Sequence, residues 1–297
     1  MFKSRDISSD AFIKEFFETL TPGVIPREQF IDWGRIKAKC AEFEDVIEYF
    51  QGLPPSDPKH VKRELQDSLL SADNPFHLLR GIFELLGHTN HYYVSDKDNV
   101  ELDLVAKEIT RGSADAAGHI AQLFLDLGLA NILVKENVES TFLGVQVGLE
   151  SNRRKSVGGE VFNQWATKLL QSTCGLLGPD YELRSEEKIF YKDSTNCKKV
   201  DFAILFRGKV KIGIEVNFYT TSGSKPSEIK RAYQNVNREL GKVGVQLVWI
   251  TDGAGYVKMR RSLREAFEAH RNTYNYEMAQ RYLKDDILDF LGKVSKE

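Results

Sequence analysis

Apolar positions recur at helical spacing through the first part of the chain and change rhythm in the second. DAFIKEFFETL, from Asp10, sets Phe12, Phe16 and Leu20 in one stripe behind an Asp cap and predicts a helix. REQFIDWGRIKAKCAEFEDVIEYF, 27–50, continues the pattern past Gly34, and LPPSDP, 53–58, breaks it. Further helices are expected at about 59–71, 75–87, 101–110 and 114–128. The rhythm changes near 138. That predicts a mainly helical N-terminal domain over 1–138 and a second domain over 139–297.

In the second region SNRRKSVGG, 151–159, reads as a polar, basic loop, and EVFNQWATKLL as a helix opening at Glu160. LLGPDYEL, 176–183, breaks that helix, and KIFY, 188–191, is a short strand candidate. VDFAILFRGKVKIGIEVNFY, 200–219, predicts two strands joined at Arg207-Gly208-Lys209, followed by a Gly/Ser loop, TTSGSKP. SEIKRAYQNVNREL, 227–240, has helical spacing, VQLVWIT, 245–251, is a buried-type strand, and helices are expected at about 257–270 and 283–293. Helix, strands, helix, strand and helix in that order predict an α/β fold with a central sheet covered on both faces.

Chemistry concentrates in the two-strand stretch. Side chains alternate along a strand, so Glu215 and Asn217 share one face. Asp201 and Glu215 are each seven residues from Gly208, a register that sets them opposite one another, with Cβ atoms roughly 4.5–5.5 Å apart. Two carboxylates so close repel, and a proton or a cation must relieve them. Oxygen-only ligands suit Mg²⁺, which keeps several waters and takes one or two carboxylates plus a phosphate. A buried Lys or Arg filling the gap between the two would take the metal's place and overturn a metal-dependent hydrolytic reading. Asp201 can instead be a strand-end residue, but a Glu in so apolar a strand is costly to bury without a partner.

Charge adds a division of labour. Residues 1–150 hold 15 Lys and Arg against 25 Asp and Glu, and 151–297 hold 26 against 18, so the second half is the candidate for a polyanion such as nucleic acid. Three scattered cysteines, no metal-ligand spacing, a polar N-terminus and no apolar run near the roughly 20 residues of a membrane span fit a reducing cytoplasm and exclude a membrane role. His88 and His91, in HTNH, read as a surface loop in preference to a metal site. TDGAGY, 251–256, lacks the third glycine and βαβ start of a dinucleotide fingerprint and reads as a turn.

Asp201 followed by Glu215-Val-Asn217 resembles the degenerate PD-(D/E)xK nuclease motif, with Val200 before the Asp and Asn217 in place of Lys. Three longer blocks are far more specific: GVQVGLESNRRKSVGGEVFN (144–163), VDFAILFRGKVKIGIEVNFYTTSGSKPSEIKRAY (200–233) and VQLVWITDGAGYVKMRRSLREAF (245–267). They resemble the DpnII/MboI family of Type II restriction endonucleases, which cut duplex DNA at GATC and carry E-V-N where most nucleases carry E-x-K. The resemblance implies a restriction-endonuclease-like core, a central mixed sheet flanked by helices. It implies Mg²⁺-dependent hydrolysis of double-stranded DNA leaving 5′-phosphates, with Asp201 and Glu215 as metal ligands and Asn217 orienting a water. Glu160 is a further acidic candidate, and Lys225, after the catalytic strand, is a candidate contact to the scissile phosphate. Asn152, Arg153, Arg154, Lys155, Ser224 and Lys225 are the expected DNA-contacting set; a solvated face is the default for Lys230, Arg231 and Arg238. A palindromic target implies a homodimer, and the activity implies a cognate DNA methyltransferase in the same prokaryotic cytoplasm. The competing readings are a catalytically silent DNA-binding protein on the same fold and a structure-specific DNA nuclease.

Overall fold

The computed structural model describes residues 2–53, 57–85, 91–93, 99–129, 137–191, 196–221 and 235–294. They form two compact units, one of Met1–Pro26 with Arg154–Glu297 and one of Arg27–Arg153. The division lies at 26/27 and 153/154, where a single boundary near 138 was expected. The first unit carries 28 Lys and Arg against 22 Asp and Glu, the second 13 against 21.

The second unit is mostly helical. Its helices are α2 (Trp33–Glu42), α3 (Glu44–Gly52), α4 (Pro58–Ser71), α5 (Pro75–Leu85), α6 (Leu102–Thr110) and α7 (Ala114–Asp126), with a small hairpin of β1 (His91–Tyr93) and β2 (Asn99–Glu101). The single helix expected over 27–50 is two, because the run starts only at Asp32, whose carboxylate accepts from Arg35 N–H, and breaks at Phe43. Phe43, Phe50, Leu65, Leu79, Ile120 and Phe142 are at its core.

The first unit is built on a five-stranded mixed sheet in the order β3-β6-β7-β8-β9. Its strands are β3 (Tyr181–Ser185), β6 (Phe202–Phe206), β7 (Lys209–Phe218), β8 (Gln246–Asp252) and β9 (Thr273–Tyr274). β3, β6 and β7 run antiparallel in turn, while β7, β8 and β9 are parallel. Around the sheet lie α1 (Ser9–Glu18), the C-terminal part of α8 (Val138–Leu177), α9 (Arg260–Ala269) and α10 (Lys284–Val294); residues 235–242 are also helical. This is an α/β architecture. Among the described residues no helix is long and apolar enough to cross a membrane.

α1 belongs to this unit because its apolar stripe is buried there: Phe12 stacks on Phe267 of α9 at 3.8 Å, and Phe16 meets the Tyr256 ring edge-on at 5.3 Å. The loop expected over 151–159 is helix instead, continuous from Val138 to Leu177. Gly158, Phe162, Ala166 and Leu170 form its buried stripe, with Phe162 5.1 Å from Phe218 of β7, so packing outweighs the weak helical preference of its glycines.

The TDGAGY turn is structural. A Cβ on Gly253, at φ 115°, would lie 2.4 Å from Tyr219 O, while Tyr219 N–H donates to Asp252 O and Gly255 N–H to Tyr219 O. These bonds extend the β7–β8 pairing past the strand ends. The buried Asp252 carboxylate accepts N–H bonds from Thr21, Gly253 and Tyr276, holding three segments at that end of the sheet.

Candidate active site

The site arises from a bend in one long hairpin. β4 (Lys188–Phe190) and β5 (Cys197–Lys199) pair in the register that β3 and β6 already follow, Lys188↔Lys199 continuing Ser185↔Phe202. Between the two ladders Glu186 N–H donates to Asp201 O and Val200 N–H to Glu187 O. Glu186 takes φ 55°, a left-handed conformation that deflects the chain there. The outer part of the hairpin lies on the face of β7 that carries Gly213, Glu215 and Asn217. A Cβ on Gly213 would fall 2.9 Å from Ile189 Cδ1 and 3.3 Å from Val200 Cγ1, so a residue without a side chain is what lets the hairpin come this close.

Asp201 stands at the bend, just before β6. The β6–β7 ladder pairs Phe202 with Ile214, which sets Asp201 opposite Glu215. The turn is Arg207–Gly208 with φ 48° and 75°, the two-residue type whose twist suits a hairpin, and Lys211 is an extra residue bulged out between Val210 and Ile212. The shorter turn and the bulge offset each other, and the register at the site is the one symmetric about Gly208. Asp201 Oδ2 accepts from Val216 N–H at 2.7 Å, which places the carboxylate one peptide from Glu215.

Glu215 is only 8% exposed. Lys198 Nζ, reaching from β5, lies 2.7 Å from its Oε1. An ammonium therefore meets the Glu215 carboxylate, and a backbone N–H meets that of Asp201. Lys198 is legible in the sequence only as part of a polar run, CKK, because its role depends on the bend.

Asn217 is fixed by the neighbouring strand. Parallel register sets Glu215 beside Trp249 and Asn217 beside Thr251, and the fully buried Trp249 donates its indole N–H to Asn217 Oδ1 at 2.8 Å. Because an indole can only donate, this bond settles which end of the amide is oxygen. With its oxygen so committed, Asn217 has its NH₂ left to offer, a donor able to hold a water or a phosphate oxygen but with no site to accept a proton.

The other expected residues separate from this centre. Glu160 is exposed in the middle of α8, two residues from both Gly158 and Phe162 and so on the opposite side of the helix from the stripe packed against β7. Among the described residues no three His, Cys, Asp or Glu side chains gather as a metal-binding group, so Glu160 does not join Asp201 and Glu215. Asn152 and Lys155 are exposed on α8, and Arg154 is half-buried. Arg153 is engaged within its own unit, donating from Nε to Glu150 at 2.7 Å and from Nη2 to Gln29 O at 2.9 Å. The fully buried Glu150 is held by Arg35 as well, and these hydrogen bonds keep its carboxyl below the usual range against the opposing effect of burial, the largest single influence. Ser224, Lys225, Lys230 and Arg231 lie outside the described residues, as does His88.

Two carboxylates on adjacent strands fit an oxygen-preferring ion that keeps most of its waters, such as Mg²⁺; they do not fit a closed site of four protein ligands. The depth of Glu215 and its pairing with an ammonium show that the position demands positive charge.

The chain is similar to known proteins along most of its length. The family model for the DpnII restriction endonuclease matches residues 12–285. The Type II restriction enzyme MboI of Moraxella bovis is 25% identical over 278 residues, 91% of this chain and 92% of that enzyme. MjaIII of Methanocaldococcus jannaschii is 26% identical over 87% of this chain and 93% of its own. DpnII of Streptococcus pneumoniae reaches 34% identity over 159 residues, 50% of this chain and 54% of that enzyme. With a match that runs through both units and takes in Asp201, Glu215 and Asn217, the chain belongs to the DpnII restriction endonuclease family.

Proposed function

We propose that this protein is a Type II restriction endonuclease with a restriction-endonuclease-like core, hydrolysing phosphodiesters of double-stranded DNA with Mg²⁺ and leaving 5′-phosphates. The DpnII/MboI resemblance implies GATC as its target, and a palindrome is matched by a homodimer with two-fold symmetry. A methyltransferase of the same system would protect the host DNA. The observation that carries this reading is the Asp201 carboxylate seated on Val216 N–H beside Glu215, in a chain of this family.

Asp201 and Glu215 would hold the divalent ion. When bound, such an ion neutralises charge on the phosphoryl oxygens and lowers the pKa of a coordinated water. Asn217, with its oxygen committed to Trp249, orients a water or a phosphate oxygen through its NH₂. It takes no proton, so the base is not this amide. Exposed Lys155 and Asn152 remain candidates for DNA contact, as do Ser224 and Lys225 on sequence alone.

The test is digestion of a plasmid with known GATC positions, with Mg²⁺ and with chelator. Fragments should end at GATC, vanish with chelator, and fall by about 100-fold or more with Asp201→Ala or Glu215→Ala, the scale of losing a metal's charge stabilisation. One observation favours a second reading. Lys198 already neutralises Glu215, as it would in a protein that binds DNA without cutting it. That protein would bind DNA equally well after Glu215→Ala and leave the plasmid intact in Mg²⁺.

A further inference from the structure

We propose that Lys198 is the built-in counter-ion of the carboxylate pair: it competes with a divalent cation for Glu215 and, once displaced, offers its ammonium to a phosphate oxygen of the DNA. This rests on the nuclease reading above.

Three features lead to it. First, Glu215 is buried to a depth at which a carboxylate calls for a partner, and Lys198 Nζ lies 2.7 Å from its Oε1. Second, Lys198 is not itself entombed: its side chain is 27% exposed, and an ammonium on a four-carbon stem can swing from a buried oxygen to solvent without moving its backbone. Third, its strand is tethered. Ile189, paired with Lys198, is packed against Gly213, and the bonds of Glu186 and Val200 tie the hairpin's two arms together at the bend, so a released Lys198 stays over the site. Asn217 brings hydrogen-bond donors to that face but no charge. The exchange balances: a dication takes over the two carboxylates, and the freed monocation pairs with a phosphate. No bond to Lys198 forms or breaks.

The consequence is that Lys198 weakens metal binding in the absence of DNA and speeds cleavage in its presence, opposite effects that a merely structural ion pair does not produce. Mn²⁺ binding to the full chain, without DNA, is measured by electron paramagnetic resonance for wild type, Lys198→Gln and Glu215→Gln. Lys198→Gln is expected to bind Mn²⁺ about tenfold more tightly than wild type, between the worth of an exposed and a buried ion pair. Its kcat in saturating Mg²⁺ is expected to fall about 100-fold, the loss of one charged transition-state contact, with a smaller change in KM. In the wild type, acetylation of Lys198 by an amine-reactive ester, followed by mass spectrometry, should quicken severalfold when Ca²⁺ is added; this readout does not depend on any variant folding.

Unchanged acetylation, or Mn²⁺ affinity no higher in Lys198→Gln, overturns the counter-ion role while leaving the nuclease reading intact, provided Glu215→Gln loses Mn²⁺. Wild-type cleavage by Lys198→Gln overturns the phosphate role. If wild type and Glu215→Gln bind Mn²⁺ equally poorly, the metal site itself fails, and this inference with it.

Discussion

Gly213 shows how one missing side chain shapes the site. The Cβ of Gly213→Ala would meet Ile189 and Val200 at 2.9 and 3.3 Å. Ile189 Cδ1 is the end of a flexible chain, so the hairpin would give way and the protein would still fold. A cost of about 1–3 kcal/mol is expected, in the range of core overpacking, and a urea unfolding curve measures it. Cleavage should fall as well, because the hairpin that lifts away carries Lys198. At this scale the sequence was partly legible. Asp201 and Glu215 stood out because carboxylates in apolar strands need a reason, and Asn217 because it shares their face. Lys198 and Trp249 did not, because each acts across strands whose pairing local periodicity does not reveal: one through a bend, the other through a parallel crossover.

At the scale of elements, the deflection at Glu186 decides whether one hairpin becomes a flat ladder or a folded cover. A β-branched residue at φ 55° is strained, so Glu186→Val should cost roughly 1–2 kcal/mol or straighten the hairpin, and cleavage should drop with it. Glu186→Gly accepts the conformation and should retain activity; the pair of variants, compared by thermal melt and plasmid cleavage, separates backbone geometry from loss of the Glu186–Lys199 ion pair, which is absent in both. Long segments were readable: α1 and α4 repeat their apolar positions at helical spacing, and β7 and β8 carry runs of buried apolar residues. β3 was not, since YELRS follows Gly-Pro-Asp and its strand character depends on β6 beside it. The 151–159 stretch misled for the converse reason: its glycines and charges read as a loop, yet Gly158 is where the helix touches Phe218 and Thr220.

For the molecule as a whole, the sheet unit takes its chain from both sides of Arg27–Arg153. A fragment of 139–297 lacks Phe12 and Phe16, both fully buried against Phe267 and Tyr256, and lacks Thr21 on Asp252. Losing two buried phenylalanines costs about 3–5 kcal/mol each, comparable to the ~5–15 kcal/mol that holds a domain together. That fragment should be unfolded by circular dichroism, whereas one joining 1–26 to 154–297 through a flexible linker should fold. Charge follows the same division: the sheet unit's basic excess points to DNA held through phosphates, and the acidic excess falls on the helical unit.

The interleaving also sets an order of events during synthesis. Phe16 leaves the ribosome about 240 residues before its partner Tyr256, an interval of roughly 10–50 s at typical elongation rates. In that time the helical unit has its whole chain available and can fold, while the first α-helix waits with its aromatic stripe uncovered. The nascent protein thus keeps that stripe uncovered until Tyr256 and Phe267 have been synthesised, and Asp201 and Glu215 join it only after the helical unit's chain has been completed.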